Sequence, residues 1–185
     1  MENGLDAGSR HLVISAVGED RPGIVDALSR LIYDCGCNIA DSRMSVLGGE
    51  FALILLVSGG AEGIGSLQRT LPDLESRLGL TLISRETTAR TPHPGQRPYV
   101  VRAVAIDHPG IVHRLASFFS SRNINIEDLG TDSYAAPHTG APMFALTMQV
   151  NVPAEMRVAE LREQFLEFCD ELNIDATMEP APTPL

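Results

Sequence analysis

Two short segments carry the groups with which this chain can hold a small charged molecule. One is Asp20-Arg21-Pro22-Gly23-Ile24-Val25 and the other is Asp107-His108-Pro109-Gly110-Ile111-Val112. In each, Pro-Gly precedes an apolar stripe of helical spacing, so the segment opens a helix. A helix N-terminus presents unpaired N–H groups and positive partial charge, a seat for a carboxylate. Gly23 and Gly110 leave room for a ligand to approach the backbone. Asp20 and Asp107 put a carboxylate beside the loop, which suits an ammonium. Asn38-Ile39 and Asn125-Ile126 recur with the loops, and an amide both donates and accepts. A carboxylate seat, an ammonium partner and an amide together describe a site for a free amino acid.

Each residue alone also has a structural explanation. Asp ahead of a helix caps or turns the chain, Pro-Gly shapes a loop, and Asn satisfies turn backbone. Recurrence of the whole set favours binding. His11, His93, His108, His113 and His138 show neither metal nor triad spacing, and His108 alone stands beside a candidate binding loop. Cys35-Gly36-Cys37 has no second ligand pair at zinc spacing, and Cys35 falls on a helix stripe as a buried structural residue. No nucleophile elbow, P-loop or dinucleotide fingerprint is present, and nothing near Asp20 or Asp107 suggests a reacting centre. The expectation is a binding protein without cofactor or metal, and not an enzyme.

The elements that position these residues come in two copies. The segments are offset by 87 residues, and Leu28 with Leu115, Asn38 with Asn125 and Asp41 with Asp128 keep that offset. Such a register means a duplicated domain. In the first copy, His11–Val17 reads as a strand and Pro22 as the first helical residue. Ile24, Leu28, Ile32 and Cys35 make the helix stripe, and Gly36 ends it. Asn38–Leu47 and Glu50–Ser58 form a hairpin around Gly48-Gly49. Ile64 to Leu78 is a second helix, which Pro72 should bend or split. Leu80–Glu86 is the last strand. The second copy repeats the order from Pro98–Ile106 to Asn173–Met178, with a longer connection at Ala135–Pro142. The domains are expected at 11–86 and 98–179, with a linker at 87–97 and flexible tails at 1–10 and 180–185. A βαββαβ unit of this length folds as an α+β, ferredoxin-like sandwich, an antiparallel four-stranded sheet with two helices on one face.

Composition narrows the function. The 185 residues are 44% hydrophobic and 21% charged, the mix of a globular protein. Aromatics are 5%, so an aliphatic core is expected. A net charge of -10 opposes direct nucleic-acid binding, which rests on Lys and Arg neutralising phosphates. No apolar run spans a bilayer, the start is no secretory signal, and three Cys suit reduced thiols. A cytoplasmic protein is expected.

At the quoted residues the sequence resembles the ACT domain family, βαββαβ modules that bind amino acids and regulate enzymes or transcription. The resemblance covers roughly residues 11–86 and 98–179. The tandem arrangement is similar to the glycine cleavage system transcriptional repressor group. It implies a ligand between the loop of one module and the second strand of its neighbour. That pairs Asp20, Arg21, Pro22, Gly23 and Ile24 with Asn125 and Ile126, and Asp107, His108, Pro109, Gly110 and Ile111 with Asn38 and Ile39. Serine-regulated dehydrogenases resemble the pattern but carry Asn in place of these acids; Asp favours an ammonium and opposes a carboxylate. The expected function is a regulator that senses a small amino acid such as glycine and acts through a protein partner, for example a DNA-binding regulator. Alternatives are an allosteric subunit acting on an amino-acid metabolic enzyme in trans and, more remotely, an RNA-binding module. A homodimer is compatible with the sheet edges each copy exposes.

Overall fold

A computed structural model of the chain describes residues 9–88 and 95–182. Its elements fall into two compact units, divided between residues 91 and 92. The first contains β1 (Arg10–Glu19), α1 (Ile24–Asp34), β2 (Asn38–Leu47), β3 (Glu50–Gly59), α2 (Ala61–Leu78) and β4 (Thr81–Thr87). The second contains β5 (Gln96–Ile106), α3 (Ile111–Ser120), β6 (Asn125–Ala135), β7 (Pro142–Pro153), α4 (Val158–Glu171) and β8 (Asp175–Pro180). Each sheet is antiparallel, ordered β2-β3-β1-β4 and β6-β7-β5-β8. This is the ferredoxin-like βαββαβ arrangement, twice.

Period-two alternation sends Leu12, Ile14 and Ala16 of β1 inward and leaves Val13, Ser15 and Val17 on the outer face. On α1, Ile24, Leu28 and Ile32 recur every fourth residue and are buried, as are Ile64, Leu67, Leu71 and Leu74 on α2. These helix stripes close over β1 and β3 in one core. Each such side chain contributes about 1.5–3 kcal/mol by leaving water. The aliphatic core expected from composition holds in the first unit, where Phe51 is the buried aromatic residue. The second unit departs from it. Phe118, Phe119 and Phe165 fill its centre with ring centroids 5.2–5.3 Å apart. Such pairs add about 0.5–1.5 kcal/mol each beyond burial.

Helix ends explain several small residues. After α1, the Cys37 N–H bonds the Ile32 carbonyl and the Gly36 N–H bonds Tyr33, with Gly36 at φ 68°. That is a Schellman stop. After α3, Ile124 and Asn123 make the same two bonds to Phe119 and Ser120, with Asn123 at φ 57°. Gly79 and Asn173 stand likewise after α2 and α4, at φ 61° and 55°. Gly and Asn exchange because both tolerate the left-handed conformation.

Four expectations need correction. Pro22 is not the first residue of α1, because Gly23 at φ 95° breaks the helical path and α1 starts at Ile24. Pro72 does not split α2, which runs unbroken from Ala61 to Leu78. Its ring lies on the exposed side, while Leu67, Leu71 and Leu74 hold the other side in the core. The strands also outlast their side-chain patterns. Backbone pairing of His11 with Thr87, and of Gln96 and Arg97 with Pro153 and Val152, draws both ends of the expected linker into the sheets. Arg10 and Pro180 pair in the same way, inside segments expected to be tails. The rest of the linker, residues 89–94, and the outer tail residues lie outside the described residues. The second hairpin turns through residues 136–141 against the two glycines 48–49, closed by the Ala136 N–H on the Ala141 carbonyl at 2.8 Å. Among the described residues, no helix is long and apolar enough to cross a membrane.

Candidate functional site

The two candidate loops have one backbone design. Each leaves the end of a central strand and is pinned to the neighbouring hairpin. The Asp20 N–H donates to the Gly49 carbonyl at 3.0 Å, and the Asp107 N–H to the Pro142 carbonyl at 2.9 Å. Pro-Gly then turns the chain into the helix. Gly23 lies at φ 95°, ψ -7° and Gly110 at φ 99°, ψ -4°. These are the angles of the third residue of a type II turn, where Pro at the second position presets its own φ. The first helical bonds run from Ala27 N–H to Gly23 O and from Arg114 N–H to Gly110 O, each at 3.0 Å.

Neither helix start receives a side-chain cap. Asp20 and Asp107 therefore do not act as N-caps, and the first N–H groups of α1 and α3 keep their capacity for an anion. A Cβ placed on Gly23 or Gly110 would meet nothing within 4 Å. The backbone conformation, not crowding, requires glycine here, and the space beside it is open.

Side chains divide into those turned toward this space and those engaged elsewhere. Ile24 and Ile111 are core residues, each 2% exposed, so only their backbone can face a ligand. The Arg21 guanidinium donates to the Leu78 carbonyl at the end of α2, tying loop to helix. In the second unit His108 takes that place, with Nδ1 3.1 Å from the Pro109 carbonyl oxygen. Asp107 accepts from the Ser133 hydroxyl at 3.3 Å. Asp20, Pro22, His108 and Pro109 are exposed.

Asn38 and Asn125 open β2 and β6 and are exposed, with Ile39 and Ile126 half-buried behind them. The 11 residues of α1 separate Asn38 from its own loop. That is about 16 Å of helix at 1.5 Å per residue. Within one unit, loop and amide are thus at opposite ends, and neither unit alone brings the expected set together.

A feature beside the amides escaped the sequence reading. Pairing of β2 with β3 shifts register between Ile39 and Asp41, and pairing of β6 with β7 shifts between Ile126 and Asp128. Both units thus carry a bulge two residues after the Asn, a device that re-aims side chains at a strand end. The recurrence of Asp41 and Asp128 at the common offset was its one sequence signal. The Ser42 N–H, at 2.8 Å, and then the Arg43 guanidinium, at 2.6 Å, hold the Asp41 carboxyl below its ordinary range.

The cysteines do not form a centre. Cys35 and Cys37 are half-buried beside the first core, so Cys35 is less enclosed than its stripe position suggests. Burial, reinforced by Cys35, raises the Cys37 thiol. Burial pushes the Cys169 thiol up to about 12. Among the described residues, no three His, Cys, Asp or Glu side chains are grouped to hold a metal ion.

Comparison with known proteins gives the family of the fold. The ACT domain family matches residues 10–84. The chain is 33% identical to the Escherichia coli glycine cleavage system transcriptional repressor over 93% of this chain and 90% of that one. Among solved structures, an unknown protein from Galdieria sulphuraria superposes with a TM-score of 0.77 at 28% identity, over 94% of this chain and 99% of its own. A candidate glycine cleavage system transcriptional repressor superposes with a TM-score of 0.70, also at 28% identity, over 95% and 99%. The shared βαββαβ units, the repeated loops and a relative matched along nearly its whole length agree: the chain belongs to the ACT-domain family of the glycine cleavage system transcriptional repressor.

Proposed function

We propose that the protein is a non-catalytic cytoplasmic regulator that binds a small free amino acid, with glycine the first candidate, and acts on transcription through a protein partner. The observation that carries this reading is the uncapped helix start behind a left-handed glycine, built twice. Such a start receives an α-carboxylate on its N–H groups. The acids beside it, Asp20 and Asp107, receive the ammonium. A small ligand fits a site whose glycines border open space and whose neighbouring isoleucines point away.

The ACT-family resemblance would complete each site with an amide from a neighbouring module, of this chain or of a second copy: Asn125 for the Asp20–Gly23 loop and Asn38 for the Asp107–Gly110 loop. The ligand then bridges units, and its binding energy favours one arrangement of them over others. A partner reads that arrangement. A chain of net charge -10 has little to offer a DNA backbone, so the DNA contact belongs to the partner. The RNA-binding alternative loses support because Phe51, Tyr99 and Phe144 on central strands pack into or against the cores and do not form a stacking platform.

Titration calorimetry of the full chain against the twenty amino acids tests the proposal. Glycine or another small amino acid should give saturable heat, weakened at least tenfold in Asn38→Ala/Asn125→Ala protein of unchanged circular dichroism. Absence of heat with every amino acid would remove the sensing role.

A further inference from the structure

We propose that the second unit carries a separate ligand site: the groove between α3 and α4, which takes a free amino acid with an aromatic or large apolar side chain. It shares only Pro109 and Gly110 with the loop site and does not depend on it. The groove is open to solvent and has a volume of about 820 Å³, within the range of small-molecule sites of about 300–1,000 Å³.

Its chemistry is divided by wall. Phe118 and Phe168 form the apolar floor, their ring centroids 5.3 Å apart. His113 and Arg114 stand exposed on the α3 wall, and Glu167 and Glu171 stand exposed on the α4 wall. The opposite charges do not close on each other: Arg114, Glu167 and Glu171 form no ion pair with another described residue. Glu167 and Glu171 are one turn apart, a spacing at which like charges destabilise a helix. An ammonium between them relieves that repulsion. A carboxylate on the facing wall meets Arg114, whose planar fork suits it. One end is fixed by Arg122, which lies 3.8 Å over the Phe118 ring and reaches Gln164 across the groove at 3.3 Å.

The duplicated unit shows that the fold does not require this pattern. At the common offset, His113, Arg114, Phe118 and Arg122 correspond to Asp26, Ala27, Leu31 and Cys35. Aligning the helix stops Gly79 and Asn173 sets Phe168, Glu167 and Glu171 against Leu74, Asp73 and Arg77. There Asp26 faces its own helix, 3.8 Å from Arg30. The same architecture thus forms without a basic wall, an acidic wall or aromatic rings between its helices.

The chain contains no Trp, so L-tryptophan reports its own binding by fluorescence anisotropy without protein background. L-tryptophan titrated with the full chain should give a saturable rise. N-acetyl-L-tryptophanamide, which keeps the indole but lacks both charges, should bind at least tenfold more weakly. Arg114→Gln and Glu167→Gln, both at exposed positions, should each weaken L-tryptophan at least fivefold. Asn38→Ala and Asn125→Ala should leave it unchanged, which separates this groove from the loop sites. No saturable rise with L-tryptophan overturns the proposal. So does equal binding of the uncharged analogue, which would mean a merely apolar surface, or equal binding by both charge variants.

Discussion

Gly23 and Gly110 shape the candidate sites through their backbone angles, and that claim has an energetic consequence. At φ near 95–99° an added Cβ meets no neighbour, so Gly110→Ala isolates the conformational cost. We expect about 1–2 kcal/mol of destabilisation in urea unfolding, the penalty of a left-handed conformation for an L-residue. An unchanged midpoint would mean that the turn is not held as described. Cys169 makes a second residue-scale prediction. Its thiol ionises near 9.0 when ordinary but at about 12 in the folded core. Above pH 9 the unfolded chain releases a proton that the folded one keeps. The contribution is therefore complete below pH 9 and lost as pH rises toward 12. Wild type should lose more stability than Cys169→Ala between neutral pH and values above 9; parallel losses would contradict the assigned burial. The Pro-Gly pairs and their recurrence were legible in the sequence. The engagement of Arg21 with Leu78 was not, because a long-range side-chain bond leaves no periodic trace.

At the scale of elements, close approach explains a glycine that pattern alone does not. A Cβ on Gly63, in the first turn of α2, would stand 2.6 Å from the Cys35 carbonyl oxygen and 3.0 Å from Cys37 Sγ. Alanine normally stabilises a helix interior relative to glycine by about 1 kcal/mol. Here the overlap with backbone should reverse the sign and cost about 1–3 kcal/mol. Denaturant unfolding of Gly63→Ala decides it; a more stable variant would mean that α2 does not meet the end of α1 this closely. Apolar periodicity found the helices and the central strands, which each bury one face; the nearly exposed edge strands β2 and β6 were legible from the hairpin turn and the repeat. It missed the strand ends at Thr87, Gln96 and Arg10, where backbone pairing continues past the last buried side chain. It also missed the bulges after Ile39 and Ile126, because one extra residue in an exposed edge strand does not disturb the buried pattern. Pro72 misled it: a helix anchored by Leu67, Leu71 and Leu74 tolerates one missing N–H on its exposed side.

For the whole molecule, the duplication was the strongest signal, and it specified both fold and family resemblance. Divergence between the copies is as informative as the repeat. One core is aliphatic around Phe51, the other is built on Phe118, Phe119 and Phe165, and the groove beside Phe168 has no counterpart in charge between α1 and α2. The loops, in contrast, keep their angles to within a few degrees. The central proposal is that each loop binds its ligand together with the amide of another unit. Glycine titration calorimetry on a double-mutant cycle tests it most directly. Asp20→Ala and Asn125→Ala should be non-additive, with a coupling of about 1–3 kcal/mol. Asp20→Ala and Asn38→Ala should add, since those residues lie at opposite ends of one helix and serve different sites. Coupling of Asp20 to Asn38 instead, or glycine affinity indifferent to all three, would contradict the account.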